Sequence, residues 1–306
     1  MAPESPLWRL TAKRASAIVP LGGRGKGCPF YCVHSISGDA TSFQPLAIEL
    51  GSARPVYGIQ IPKGKMNPEF VQSVRSIAEY YVDALTAFQP DGPFVLGGWS
   101  AGSFIALEMA QIFQERGREI PLLVALDGFL YKSGTSVSTR RPLYYWKLAK
   151  NFPYWIADKV TEGWNAQRAA GRVKKSLKAG IRSIFSLEQD AQPDSGVDQF
   201  LDTSKWPPQQ AAVVRQLFDV VESYEPQPYT GQVLVYSAKA QAFFHPGQVE
   251  TTWRKIAARI TFVEVNGTHV TMIREPRVAR LASHLREQMA MIAPTSGPEP
   301  GYLQSV

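Results

Sequence analysis

The most informative part of the sequence for the fold is Phe94-Val95-Leu96-Gly97-Gly98-Trp99-Ser100-Ala101-Gly102. It starts as a continuous apolar strand, passes through the G-x-S-x-G pattern of residues 98–102, and leads into apolar residues at helical spacing over 104–113. A serine held between a strand and a helix, with glycine two positions away on either side, is typical of a tight turn that exposes a nucleophilic hydroxyl. We therefore expect Ser100 to be a nucleophile. The alternative is a glycine-rich turn in which Ser100 only caps the helix.

Strands and helices alternate on both sides of this stretch. Uninterrupted apolar strands separated by amphipathic helices predict an α/β protein with a mostly parallel central sheet covered by helices on both faces. The predicted strands are 17–19 (at an edge), 29–33, 56–60, 94–96, 122–126, 233–236 and 260–265, and the predicted helices are 70–88, 104–113 (ended by Gly117), 249–258 and 277–291.

The alternation is interrupted once, after Asp127. Residues 129–212 are irregular, basic and rich in aromatic side chains, which favours a helical insertion between two strands of the core. The predicted organisation is an N-terminal linker (1–26), a first core segment (27–128), the insertion (129–212), a second core segment (213–292) and a flexible tail (293–306).

Composition excludes several classes of protein. The chain has 306 residues, of which 44% are hydrophobic and 19% charged, so it is not disordered as a whole. Two cysteines, Cys28 and Cys32, are too few for a disulfide scaffold or a four-cysteine metal site, and we expect reduced, at least partly buried thiols. The sequence contains no run of about 18 apolar residues, so we predict no membrane span. We expect a cytoplasmic protein that binds no metal or cofactor.

The net charge of +7 is concentrated in one segment. Between residues 131 and 185, 12 lysines and arginines face 2 acidic residues. Such a segment favours an acidic protein partner, although a solvated face or a helix lying on a membrane surface would have the same composition. Nucleic acid is a weaker interpretation, because no recognition motif accompanies the charge.

A serine nucleophile needs a base, and the chain offers four histidines. His269 follows the late strand 260–265, at the sheet edge where parallel sheets place their chemistry, and it lies well after Ser100 as the order Ser…Asp…His requires. His245 is the main rival. We expect a structural role for His34 and a surface position for His284.

The base needs a carboxylate to orient it. Asp127 directly follows the strand 122–126, whereas the alternative position, residues 237–244, contains no acid. Asp127 is therefore the predicted acid, unless it only caps a turn. The oxyanion hole is expected to use the backbone N–H of Ala101 and that of Ile36, which lies in the loop after strand 29–33.

These residues resemble a known family. The blocks PFYCVHSISGDATSFQPLA, QPDGPFVLGGWSAGS, ALDG and GTHVTMIREP are similar to those of the type I thioesterase domains of nonribosomal peptide synthetases and polyketide synthases. The resemblance runs from about residue 16 to 291. It departs from the family at Ser35 and at Ser37, where a proline and a glycine are usual.

The resemblance implies an α/β-hydrolase fold in which residues 129–212 form a helical lid. It also implies a catalytic triad of Ser100, Asp127 and His269. The implied reaction is release of an acyl or peptidyl chain from the phosphopantetheine thioester of a carrier protein, by hydrolysis or macrocyclisation through an acyl-serine. The alternatives are an esterase or lipase acting on oxygen esters and a catalytically silent docking module.

Overall fold

The structure is a computed structural model that describes residues 17–130, 206–240 and 248–292. Most of the predicted lid and the whole basic segment 131–185 lie outside these ranges, as do the predicted tail and residues 1–16 of the predicted linker.

A seven-stranded sheet forms the centre of the molecule, in the order β1-β3-β2-β4-β5-β6-β7. β1 pairs antiparallel with β3 and all other pairs are parallel, as the sequence predicts. The predicted edge strand is thus part of the sheet although it lies within the stretch assigned to the linker. The strands are β1 Ile18–Gly22, β2 Phe30–Val33, β3 Val56–Ile59, β4 Val95–Trp99, β5 Leu123–Leu126, β6 Tyr229–Ala240 and β7 Ala257–Thr268.

Helices cover both faces of the sheet. Along β2, Phe30 and Cys32 face one hydrophobic cluster while Tyr31 and Val33 face the other, as expected for a strand buried on both sides. The described helices are α1 Gln44–Leu50, α2 Val74–Phe88, α3 Gly102–Glu115, α4 Pro208–Glu222, α5 Gln248–Ile256 and α6 Val278–Ala290, with short 3-10 helices at Thr41–Phe43, Lys63–Lys65 and Pro68–Phe70.

Some helix ends differ from the prediction for local reasons. α2 begins at Val74 rather than Phe70, because the Ser73 hydroxyl accepts the Ser76 N–H and forms a capping box. The predicted end of α3 is confirmed: Gly117 has φ +75°, and the Arg118 N–H donates to the Phe113 carbonyl at 2.8 Å.

The region after the insertion also departs from the expected boundaries. α4 continues through residue 212, where the sequence placed the end of the insertion. β7 follows α5 directly and is longer than predicted, starting at Ala257. The seven-residue helix α1 was not predicted, since so short a segment contains too few apolar positions to establish a period.

Register aligns the carboxyl ends of three neighbouring strands. Trp99 of β4 pairs with Leu126 of β5, which pairs with Tyr236 of β6. The residues that follow Trp99 and Leu126 are Ser100 and Asp127. The sheet therefore places the predicted nucleophile beside the predicted acid at one edge.

The two cysteines are unpaired and buried, as expected. Burial raises the pKa of the Cys28 thiol to about 11. Within the described ranges, no helix is both long and apolar enough to cross a membrane.

Candidate active site

Ser100 lies in a turn that requires glycine on both sides. Its backbone has φ +58°, an uncommon conformation for a residue with a side chain. A Cβ on Gly98 would lie 2.1 Å from the Gly102 carbonyl oxygen, and a Cβ on Gly102 would lie 2.1 Å from the His34 carbonyl oxygen. The glycines thus allow β4, α3 and the loop after β2 to meet at the serine, whose N–H donates to the Leu126 carbonyl at 2.9 Å.

Asp127 is held in a second strained turn at the end of β5. Its φ is +50°, and its carboxylate is almost fully buried. The Asp127 N–H donates to the Tyr236 carbonyl at 2.8 Å, and Oδ1 accepts the Ala238 N–H at 2.8 Å. β6 therefore fixes both the backbone and one carboxylate oxygen, which leaves Oδ2 to bind another group.

That other group is the imidazole of His269, whose Nδ1 lies 2.9 Å from Oδ2 of Asp127. The His269 side chain is 29% exposed while that of Asp127 is 5% exposed. The carboxylate therefore lies in the core and the imidazole lies at the surface. Because a carboxylate only accepts hydrogen bonds, Nδ1 carries the proton. Nε2 of a neutral imidazole is then left with its lone pair, as a general base requires.

Of the three predicted catalytic residues, the structure joins Asp127 and His269 directly, and it places Ser100 at the end of the strand next to that of Asp127. In the part of the chain that the structure describes, no hydrogen bond links the Ser100 hydroxyl to the imidazole. The contact between the serine strand and the histidine loop is made by Trp99, whose indole Nε1–H donates to the His269 carbonyl at 3.1 Å. In uncomplexed sites such bonds are often long and shorten only when substrate is bound.

The backbone N–H groups of the two predicted oxyanion donors, Ala101 and Ile36, lie near the serine turn. Within residues 17–130, neither the Ala101 N–H nor the Ile36 N–H is used in a backbone hydrogen bond. Ala101 starts the first turn of α3, and the loop containing Ile36 is brought to that turn by the contact of His34 with Gly102. A helix N-terminus with free N–H groups favours negative charge.

His34 has a structural role, as expected. It is fully buried, with Nδ1 2.5 Å from the Ser35 carbonyl oxygen and Nε2 2.8 Å from the Tyr81 hydroxyl. The carbonyl can only accept, so Nδ1–H donates to it and Nε2 accepts from Tyr81. Burial lowers the pKa of His34 to about 4, so the ring is neutral and both nitrogens are occupied.

His284, expected at the surface, is partly buried. Its Nδ1 lies 2.8 Å from the hydroxyl of Tyr236, which belongs to β6. The residues around it in the sequence are charged, but α6 turns the histidine toward the sheet. His245, the rival for the base, lies outside the described residues.

Aromatic residues around His269 were not anticipated from the sequence. The Trp99 ring lies 5.3 Å from the imidazole and the Phe129 ring 6.0 Å from it, both measured between centroids. Trp99 was visible only as the variable residue of the G-x-S-x-G pattern. Among the residues the structure describes, no group of three or more potential ligand side chains is arranged to hold a metal ion.

Part of the chain matches the model of a known protein family. Residues 29–169 match the family model described as the thioesterase domain. The chain is 29% identical over 300 residues to chondramide synthase cmdD of Chondromyces crocatus, an alignment that covers 92% of this chain and 7% of that protein. It is 32% identical over 112 residues to the dimodular nonribosomal peptide synthase of Bacillus subtilis, covering 37% of this chain and 5% of that protein. The chain thus spans only a small part of these relatives' length.

Solved structures show the same fold. The Vlm2 thioesterase domain bound with a dodecadepsipeptide superposes with a TM-score of 0.55 at 18% identity, covering 90% of this chain and 98% of that one. The NocB thioesterase domain from the nocardicin cluster gives a TM-score of 0.56 at 20% identity, covering 90% and 99%. The expected α/β-hydrolase fold is therefore confirmed.

Proposed function

We propose that this chain releases an acyl or peptidyl chain from a carrier-protein thioester through an acyl-serine. Its similarity to the thioesterase domains of nonribosomal peptide and polyketide synthases supports the proposal. The observation that carries the proposal is the Asp127–His269 pair beside a serine held at positive φ. Under this proposal Ser100 is the nucleophile, His269 the base and Asp127 the residue that orients it.

The first half-reaction transfers the acyl group to Ser100. Nε2 of His269 takes the proton as Oγ of Ser100 attacks the thioester carbonyl carbon. The N–H groups of Ala101 and Ile36 bind the oxyanion that forms. When the carbon–sulfur bond breaks, the imidazolium returns the proton to the departing thiol, and Asp127 stabilises the imidazolium until then. The products are an acyl-Ser100 ester and free pantetheine thiol.

The second half-reaction releases the chain. Water, or an amine or hydroxyl of the bound chain, attacks the carbonyl carbon of the acyl-Ser100 ester while Nε2 of His269 takes its proton. When the bond from that carbon to Ser100 Oγ breaks, the imidazolium returns the proton to Oγ. Water gives the free acid, and an internal nucleophile gives a macrocycle. We assign the choice between them to the lid, residues 129–212, because exclusion of water from the acyl-enzyme favours the internal nucleophile. The core segments 27–128 and 213–292 then supply the chemistry while the lid selects the chain.

The carrier protein is the proposed partner. Its phosphopantetheine arm supplies the thiol, so the enzyme itself needs no bound cofactor. The excess of lysine and arginine between residues 131 and 185 supports an acidic protein partner, since opposite charges accelerate encounter.

Covalent capture tests the central step. The wild-type protein, Ser100→Ala and the exposed-serine control Ser52→Ala are mixed with acyl-pantetheine thioesters, and intact mass and thiol release are followed. We expect the acyl mass on wild type and on Ser52→Ala only, with thiol release by Ser100→Ala lower by about 10⁴-fold or more.

Two results would overturn the proposal. Thiol release by Ser100→Ala at the wild-type rate would exclude the serine mechanism. Faster turnover of matched oxygen esters than of thioesters would identify an esterase, because the same triad serves both reactions and only the leaving group differs.

A further inference from the structure

Trp99 connects the strand of the predicted nucleophile to the loop of the predicted base. It is the last residue of β4, directly before Ser100, and only 9% of it is exposed. Its indole Nε1–H donates to the main-chain carbonyl of His269 at 3.1 Å. Its ring also lies 5.3 Å from the imidazole of the same residue, with 30° between the two planes. One side chain therefore holds both the backbone and the ring of His269.

The loop that carries His269 needs such an anchor. Gly267 has φ +110°, so the chain turns sharply just before the histidine. Thr268 and Thr271 stabilise the following turn through their hydroxyls, which lie 3.0 Å apart, and the Met272 N–H donates to the Thr268 carbonyl. These bonds are local to the loop. The indole bond, in contrast, ties the loop to the sheet.

The imidazole is restrained from three directions. Asp127 holds Nδ1, the tilted ring of Trp99 lies 5.3 Å from the imidazole, and the ring of Phe129 approaches at 6.0 Å with 71° between the planes. A hydrogen bond to the carboxylate alone fixes the position of Nδ1 but lets the imidazole ring rotate about that nitrogen. The aromatic contacts limit this rotation and so fix the direction in which Nε2 points.

We infer that Trp99 is a positioning residue for His269, an inference that rests on the proposed function. The indole N–H of Trp99 donates to the His269 carbonyl and does not contact the reacting atoms. Trp99 therefore acts on the reaction only by positioning His269. Both half-reactions use Nε2 of His269 as base. Loss of the anchor should therefore lower the rates of acylation and deacylation and change substrate binding little.

Two substitutions separate the contributions of the N–H and the ring. Trp99→Phe keeps an aromatic ring and removes the donor, whereas Trp99→Leu removes both. Tyr31→Phe is the matched control, because Tyr31 is a buried aromatic residue whose hydroxyl donates to Gln89 at 2.6 Å, and neither residue belongs to the site.

Kinetics with a pantetheine thioester and labelling of Ser100 by a fluorophosphonate give the readout. We expect Trp99→Phe to lower kcat and the labelling rate by about 5- to 10-fold, the effect of one neutral hydrogen bond. Trp99→Leu should lower them by about 100-fold, the scale of a misplaced catalytic group. KM should stay within about twofold in both, because the residue acts on the transition state rather than on substrate binding.

A second measurement does not depend on activity. Hydrogen exchange should find the Trp99 indole N–H protected in wild type, and the Met272 amide should exchange faster in Trp99→Phe than in Tyr31→Phe.

The results distinguish failure of the inference from failure of the proposed function. Rapid exchange of the indole N–H in the wild-type protein, or equal labelling rates for Trp99→Phe and Tyr31→Phe, would overturn it. If Ser100→Ala is inactive while Trp99→Phe matches wild type, only the role of Trp99 fails. If Ser100→Ala keeps full activity, the proposed function itself fails.

Discussion

At the scale of single residues, the burial of His34 predicts a stability that depends on pH. Its pKa is lowered to about 4 by burial, whereas a histidine in the unfolded chain titrates near 6.5. Between these values the unfolded chain binds a proton that the folded chain does not. The free energy of unfolding should therefore decrease as pH falls from about 6.5 to about 4, by up to about 3 kcal/mol from this residue.

Urea unfolding at several pH values, for wild type and His34→Gln, isolates this contribution. Glutamine keeps a polar side chain that does not titrate, so the carboxylates contribute equally to both proteins. The wild-type curve should be the steeper one across this range. Parallel curves would mean that His34 is protonated in the folded state, contrary to its contacts with Ser35 and Tyr81.

At the scale of elements, the packing of β4 against α3 depends on the glycine pair around Ser100. In Gly98→Ala the added Cβ would meet the Gly102 carbonyl oxygen at 2.1 Å, a backbone atom that cannot move without displacing the helix. We expect a loss of about 3 kcal/mol or more in the free energy of unfolding. Thermal and urea unfolding measure this loss.

Gly64→Ala is the control for this substitution. Gly64 lies in the 3-10 helix Lys63–Lys65, and nothing lies within 4 Å of a Cβ placed there. Its unfolding free energy should change by no more than about 0.5 kcal/mol. Equal stability of the two variants would show that β4 and α3 can separate freely, and the strained serine turn would then lack its structural cause.

At the scale of the whole molecule, the uneven charge predicts how salt would affect the proposed reaction with a carrier protein. With a thioester presented on an acidic carrier protein, kcat/KM should fall as the salt concentration rises from about 0.05 to 0.5 M, because screening shortens the range of charge attraction. With a free pantetheine thioester it should hardly change. Steady-state kinetics at several salt concentrations test the difference.

Charge neutralisation tests where the effect originates. Replacing Lys174, Lys175 and Lys178 by glutamine should lower kcat/KM for the carrier-bound substrate by about 10-fold, within the range of electrostatic steering. The matched control replaces Lys63, Lys255 and Arg280, exposed cations outside the basic segment, and changes the net charge equally. Equal losses in the two triple variants would assign the effect to net charge rather than to residues 131–185.

The sequence predicted the succession of strands and helices along the chain and the three candidate catalytic residues. Ser100 was recognisable because the glycine spacing around it is local, and Asp127 because it directly follows an apolar strand. His269 was singled out by its place after a late strand. Burial of both cysteines followed from composition. Each of these signals lies within a few residues of the position it concerns, so periodicity and turn chemistry suffice to find it.

Several contacts between distant residues became known from the folded structure and not from the sequence. The bond from Trp99 to His269 joins positions 170 residues apart, and the His34–Tyr81 bond joins positions 47 apart. His284 looks exposed in the sequence, yet it contacts Tyr236 of β6. Hydropathy patterns state which side chains are buried but not which partner they find there. Which side chains contact each other depends on strand register and helix packing, and both are set only when the chain folds.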